Sequence, residues 1–271
     1  MPYGEVVSTE TLSPQLIRVV LGGPGLDGLP APDGTDSYVN AFFVPDAAPY
    51  SVPFEDDAVR DLPREQRPYP RRYTVRSWDA EQQLLTIDFV VHGDVGRAGR
   101  WAQHAEPGDR LQFRGPAGGW RPAPDADSYL LVGDESALPA IGASLEVVPA
   151  GRPAVAVVEV QDASGEIPLT SPGDLRVVWV HRAGATAPLE ELLRDAVAGL
   201  DALPDALPGT VSAFVHGEAA ATRAVRRLIL ERGLVQREHL SCSPYWRRGH
   251  DDEEWRAVKG AWTREVEADV P

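Results

Sequence analysis

Two kinds of hydrophobic pattern follow one another along the chain. In the first part the apolar residues alternate. In Leu84 to Val91, residues Leu85, Ile87, Phe89 and Val91 fall on one face and Thr86 and Asp88 on the other, the period of a half-buried strand. Leu16–Leu21 is a second apolar, β-branched run, and short strands are expected at Tyr38–Val44, Tyr73–Ser77 and Arg110–Arg114. Gly and Pro clusters separate them, at Gly22-Gly23-Pro24-Gly25, Pro107-Gly108-Asp109 and Gly115-Pro116-Ala117-Gly118. Short strands punctuated in this way predict a small antiparallel barrel. The Pro-rich, charged stretch Pro45–Pro70 reads as an exposed, mobile excursion or a lid.

After Trp120-Arg121-Pro122-Ala123-Pro124 the pattern changes. Continuous apolar runs at Tyr129–Val132, Ala154–Val160, Arg176–Val180 and Val211–Val215 read as buried parallel strands. Helical stretches alternate with them: Ser136–Val148, Pro188–Leu200 and Ala219–Arg232, the last stopping at Gly233. Alternation of this kind predicts an open α/β sheet. The expected division is 1–122 for the barrel and 123–271 for the α/β domain. The tail, Ser241–Pro271, should end in a helix after Asp251-Asp252. At about 100° per residue, Trp255, Val258, Trp262 and Val266 form one apolar stripe on it, with Lys259 inside the stripe.

Composition narrows the function classes. The chain has 271 residues, 43% hydrophobic and 25% charged, and a formal net charge of −15. That balance argues against a general nucleic-acid binder. No apolar run approaches the ~20 residues of a membrane span, and Met1–Glu5 lacks the start of a secretory signal, so a cytoplasmic location is expected. A single cysteine, Cys242, excludes an internal disulfide framework and a cluster held by several thiolates of one chain. The cysteine reads as a small packing residue. Of 26 basic residues, Lys259 is the one lysine.

Candidate chemistry begins at Arg71-Arg72-Tyr73-Thr74-Val75-Arg76. An arginine on a barrel strand can pair bidentately with a diphosphate. Tyr73, two residues on and on the same face, can lie against a planar cofactor, and Thr74 can hydrogen-bond a ring nitrogen. Asp88-Phe89-Val90-Val91-His92-Gly93-Asp94 leads into Gly96-Arg97-Ala98-Gly99-Arg100-Trp101-Ala102, a glycine-rich turn before a short helix that suits phosphate. Later come Gly133-Asp134-Glu135-Ser136-Ala137-Leu138-Pro139-Ala140-Ile141, Phe214-Val215-His216-Gly217-Glu218 and Pro244-Tyr245-Trp246-Arg247-Arg248-Gly249.

In this order and at these intervals the segments resemble the siderophore-interacting protein family, flavoproteins of the ferredoxin-reductase-like superfamily that include ferric-siderophore reductases of the vibriobactin-utilisation type. The resemblance spans about Val6 to Trp262. It implies a two-domain fold, a FAD-binding antiparallel β-barrel followed by an NAD(P)H-binding-like open parallel sheet with a C-terminal helix. It also implies FAD as cofactor and reduction of a ferric siderophore. By residue, it implies Arg71 at the FAD diphosphate, Tyr73 against the isoalloxazine and Thr74 near its reactive nitrogen. Asp88, Phe89, Val91 and His92 would line the adenine and ribityl side, and Gly96, Ala98, Gly99, Arg100 and Trp101 the phosphate turn. Tyr245 and Trp246 would complete the cofactor contacts. Two departures stand out: Arg97 and Gly99 replace the Pro and Ser of the commoner turn, and Pro244 stands where Gly usually precedes Tyr.

The electron donor is less legible. Gly133-Asp134-Glu135-Ser136 lacks the G-x-G-x-x-G fingerprint, and its acids would repel a pyrophosphate. Gly133, Ser136 and Arg182 are the NAD(P)H candidates. Glu159 suits a ribose 2′-hydroxyl, favouring NADH, and Arg182 a 2′-phosphate, favouring NADPH. The resemblance implies NAD(P)H, with ferredoxin as the alternative donor, and Glu218 is the candidate near the nicotinamide. For an anionic ferric siderophore, Arg247, Arg248 and Lys259 offer a local basic patch. The competing readings are a general NAD(P)H:flavin or ferric reductase and a non-catalytic siderophore-binding protein.

Overall fold

The computed structural model describes residues 1–91, 96–185, 187–202 and 206–269. The chain divides into two compact units, Met1–Arg121 and Pro122–Pro271.

In the first unit β1 (Tyr3–Ser13), β2 (Leu16–Gly22), β3 (Tyr38–Phe43), β4 (Tyr69–Asp79), β5 (Leu84–Val90) and β6 (Arg110–Ala117) close a barrel in the order β1-β2-β5-β4-β3-β6. Every pair is antiparallel, and the seam is β1 against β6, with Tyr3 opposite Gln112. Closure leaves no sheet edge to aggregate. The alternation of β5 sends Leu85, Ile87 and Phe89 into a core shared with Val19, Leu21, Val39, Ala41, Leu111 and Phe113. Its other face is not simply solvent-exposed. Asp88 is 3% exposed because Arg18, directly opposite on β2, pairs with it through Nε at 2.7 Å and Nη2 at 2.8 Å.

Sequence pattern did not disclose β1. Its register shifts between Val6 and Ser8 and again between Thr11 and Ser13, and such bulges erase the period of two. The Pro45–Pro70 excursion also differs from a bare mobile loop. It carries helix α1 (Asp56–Arg60), and Phe54 and Val59 pack on Phe42 in a small core of their own. Buried Gln112 clasps it from β6: Phe54 N–H donates to Gln112 Oε1 at 2.8 Å and Gln112 Nε2 donates to the Phe54 carbonyl at 2.7 Å. Tyr50 Oη donates to the Gln66 carbonyl, and Arg114 pairs with Asp56. Helix α2 (Arg97–His104) follows β5.

The second unit holds β7 (Ser128–Asp134), α3 (Leu138–Leu145), β8 (Pro153–Val160), β9 (Asp174–His181), α4 (Leu189–Ala198), β10 (Val211–Glu218), α5 (Ala219–Glu231), β11 (Leu240–Trp246) and α6 (Asp252–Asp269). Five parallel strands lie in the order β11-β10-β7-β8-β9. Chain order reverses between β7 and β10, so the topological switch point lies there. Central β7 and β10 are buried at every residue, as their unbroken apolar runs require. The edge strand β11 lies within the expected tail, and pattern does not disclose it because Ser241, Ser243 and Pro244 do not read as a strand. Proline is tolerated at an edge.

Helix α6 opens on a capping box. Glu254 N–H donates to Asp251 Oδ1 at 2.8 Å and Asp251 N–H to Glu254 Oε2 at 3.0 Å. Trp255, Trp262 and Val266 are buried with Ala219, the two indoles meeting edge-on at 5.8 Å. Val258, expected in the same stripe, is 37% exposed. It lies about 60° from Trp255 around the helix, and the contact with the body is narrower than that.

Candidate functional site

Within the barrel unit, β4 positions the first group. Tyr69, Arg71 and Tyr73 lie opposite Phe43, Ala41 and Val39 of β3. Directly opposed residues share a face, so all three project on the core side. The Tyr73 ring sits 4.4 Å from Phe89 and 6.1 Å from Phe43, and Trp101 of α2 approaches both Phe89 (5.6 Å) and Phe43 (5.8 Å). These four rings are one cluster. Phe89 is fully buried within it, whereas Tyr73 and Trp101 are half-buried. Thr74 is buried on the opposite face of β4, facing Tyr38. The Arg71 guanidinium donates to the Pro70 carbonyl at 2.9 Å.

Helix α2 supplies the second group. Gly96 precedes it at φ 93°, a conformation that favours glycine, and as a glycine it brings no capping side chain to the first turn. Its first backbone N–H groups therefore have no acceptor within the helix. Arg97 occupies the first helical position. Its guanidinium lies 3.7 Å above the Tyr69 ring and donates to Tyr69 Oη at 3.0 Å, tying the start of α2 to the start of β4. Ala98, Gly99 and Ala102 pack against the barrel. Gly99 is buried against Val91 and Val90, where a Cβ would stand about 3.4 Å from the Val91 Cα. Arg97, Arg100, Trp101 and His104 line a groove of about 310 Å³ with Phe43–Asp46. His92 lies outside the described residues. Asp88 has its carboxylate on Arg18, which is a barrel-internal role.

The first-turn N–H groups of α2, the side chains of Arg71, Arg97 and Arg100, and an aromatic wall suit a diphosphate joined to flat rings. The residue types present therefore fit FAD.

In the second unit the switch point is filled by the chain's own groups. Gly133 allows β7 to approach β10, since a Cβ there would stand 2.7 Å from the His216 carbonyl. Buried Asp134 accepts at Oδ1 from Ser136 N–H and Oγ, and at Oδ2 from Glu218 N–H and Trp246 Nε1, both at 2.8 Å. Burial raises its pKa. Glu218 is the N-cap of α5, its Oε2 accepting from Ala220 and Ala221 N–H, while Oε1 accepts from Arg248 N–H at 3.2 Å. Ser136 and Glu218, candidates for the donor site, are thus committed to internal hydrogen bonds. Arg182 is committed too: it bridges Glu135 and Glu159 at 2.7 Å each. The two readings held open for Glu159 and Arg182 turn out to be one ion-pair cluster.

Sequence reasoning gave no role to His216. It is buried, stacked at 3.9 Å on Phe214, and bonded through Nε2 to Ser241 Oγ at 2.9 Å. Burial, and then the nearby Lys259 charge, push its pKa down to about 3, so the ring is neutral. Lys259 Nζ donates to the Pro244 carbonyl at 2.7 Å. That bond brings the lysine to β11, just before Tyr245, Trp246, Arg247 and Arg248 in the chain. Burial pushes the Cys242 thiol up to about 12, in keeping with a packing residue.

A closed antiparallel barrel followed by a five-stranded parallel sheet defines the ferredoxin-reductase-like class. The ferredoxin reductase of carbazole 1,9a-dioxygenase shares the fold at a TM-score of 0.61 and 17% identity, over 88% of this chain and 65% of that one. Within that class the chain belongs to the siderophore-interacting protein family. Residues 5–120 match the siderophore-interacting FAD-binding domain and residues 126–249 the siderophore-interacting protein domain. A siderophore utilization protein from T. fusca superposes at a TM-score of 0.78 with 38% identity, over 92% of this chain and 94% of that one. The ferric vibriobactin reductase of Vibrio cholerae is 33% identical over 250 residues, 92% of this chain and 90% of its own. No helix among the described residues is long and apolar enough to cross a membrane.

Proposed function

We propose that this protein is a FAD-dependent ferric-siderophore reductase that draws electrons from NAD(P)H, with ferredoxin as the alternative donor, and releases iron as Fe(II). The observation that carries the reading is the glycine-led N-terminus of α2 with Arg97, Arg100 and the Tyr73–Phe89–Phe43–Trp101 cluster, in the unit that matches a siderophore-interacting FAD-binding domain.

When bound, FAD supplies the link between a two-electron donor and Fe(III), which accepts one electron at a time. One NAD(P)H thus serves two ferric ions. Arg71, Arg97 and Arg100 neutralise the cofactor's phosphates, and the α2 N–H groups orient them. Tyr73, backed by buried Phe89, offers a flat apolar face to the ring system. Arg247, Arg248 and Lys259 attract the anionic chelate against an overall charge of −15. No nucleophile or general base is needed. Ferrous iron is held less tightly by hard oxygen ligands, so reduction loosens the chelate.

The test is anaerobic mixing of the purified protein with NADH, NADPH or reduced ferredoxin, then with a ferric siderophore and a ferrous chelator. A flavin spectrum that bleaches with a donor and recovers with the ferric siderophore, with two Fe(II) per NAD(P)H consumed, supports the reading. Protein without flavin, or reduced flavin equally reactive with simple ferric salts, overturns it.

A further inference from the structure

The carboxyl ends of β7, β8 and β9 carry a cluster with no part in the chemistry above. Arg182 donates through Nη1 to Glu135 Oε2 and Glu159 Oε1, both at 2.7 Å, and through Nε to Gln161 Oε1 at 2.8 Å. Its Nη2 lies 2.7 Å from Glu135 Oε1, which also accepts the Gln161 N–H at 3.0 Å. Glu159 and Glu135 are 0% and 4% exposed. Because β8 lies between β7 and β9, the cluster bridges three adjacent strand ends.

Ligands of open parallel sheets bind beyond the carboxyl ends of the strands, where a strand-end acid takes an adenosine 2′-hydroxyl and a nearby arginine takes a 2′-phosphate. Here acid and arginine neutralise each other. A 2′-phosphate at Arg182 must compete with the two carboxylates already paired to it, and any it displaced would be left buried and unpaired. Glu159 Oε2 is buried without a hydrogen-bond partner, so the cluster holds carboxylate oxygen in excess of its donors and disfavours a further anion beside Arg182. Burial also pushes Glu159 up to about 7 despite Arg182, a sign of how poorly this site tolerates added negative charge.

We propose that the Glu135–Arg182–Glu159 cluster is a selectivity element that excludes a 2′-phosphate and makes NADH the preferred nicotinamide donor. The proposal rests on the reading of the second unit as a nicotinamide site. The flavin-loaded protein is titrated calorimetrically with NAD+, NADP+, 5′-AMP and 2′,5′-ADP, and flavin reduction by NADH and NADPH is followed anaerobically. At least tenfold preference for the unphosphorylated nucleotides is expected. Glu135→Gln with Glu159→Gln, which releases Arg182, should reduce that preference at least tenfold. Glu135→Gln alone, which keeps the buried Glu159, should give an intermediate ratio and covers a folding failure of the double variant. Equal affinity in the wild type, or a ratio unmoved in both variants, overturns the proposal. Flavin reduced by ferredoxin, with neither nucleotide binding nor reducing it, overturns the nicotinamide reading itself and the proposal with it.

Discussion

The indole Nε1 of Trp246 donates to Oδ2 of Asp134 at 2.8 Å, joining the end of β11 to the end of β7 across the intervening β10. Glu218 N–H, at the end of β10, reaches the same oxygen. One buried carboxylate thus fastens three strand ends, and it does so where an open parallel sheet ordinarily receives a ligand.

Trp246→Phe removes one donor from that carboxylate and leaves the strand otherwise intact. Hydrogen bonds to charged groups contribute about 1.5–3 kcal/mol. Urea unfolding of the variant should show a loss of that size with an unchanged m-value. A midpoint equal to wild type would mean that Asp134 does not depend on the indole.

Asp88 separates a structural role from a cofactor role. Asp88→Ala strands Arg18, whose side chain is 27% exposed, so the penalty should be about 2 kcal/mol, below the range for fully buried pairs. At a temperature where the variant is folded, FAD affinity should equal that of wild type. A tenfold weaker affinity in folded protein would return Asp88 to the cofactor site.

Much of the architecture was legible because burial leaves a periodic trace. The runs at 129–132, 154–160 and 211–215 lie within β7, β8 and β10, and the alternation of 84–91 marks β5. The trace fails where a bulge resets it, as in β1, or where an edge strand is half solvent-exposed, as in β11. The site shows the same division. Arg71 and Tyr73 share a face as period two requires, and α2 starts just after Gly96. What linear reading missed is mutual commitment. Arg182, Glu135 and Glu159 are 23 to 47 residues apart, and each alone suits a nucleotide. Their satisfaction of one another depends on strand order, which local pattern does not encode. The same holds for Asp88 and Arg18, and for the Gln112 clasp on Phe54.

Glu159 gives a pH prediction with a definite sign. Its folded pKa is raised from 4.5 to about 7 because burial outweighs Arg182. The folded protein therefore binds a proton that the unfolded chain has lost. The contribution is fully present below pH 4.5 and disappears as pH rises through 7. Buried His216, held near 3, acts oppositely: its contribution is lost as pH falls from about 6.5 toward 3. Comparison with Glu159→Gln isolates the first term. From pH 5 to pH 8, wild type should lose about 2.5 kcal/mol relative to the variant, measured by denaturant unfolding at each pH. A difference that stays constant with pH would mean that Glu159 is ionised throughout.

Lys259 decides how the tail serves an anionic chelate. Its Nζ donates to the Pro244 carbonyl at 2.7 Å, while its stem runs beside the buried stripe of α6. Lys259→Ala and Lys259→Met both remove the charge, and the methionine keeps the packing. Flavin content should stay full in both, and ferric-siderophore affinity should fall about tenfold, near 1.4 kcal/mol, with the loss shrinking as salt rises. Lys259→Arg should restore part of it. Normal affinity in the methionine variant, with loss in the alanine variant alone, would assign the residue to packing instead. His216 provides an independent check on the placement of the ammonium. The Lys259 charge is the second cause, after burial, of the depressed imidazole pKa. Titration of His216 by NMR should therefore move upward in Lys259→Met, while the pKa stays below that of an exposed histidine because burial remains.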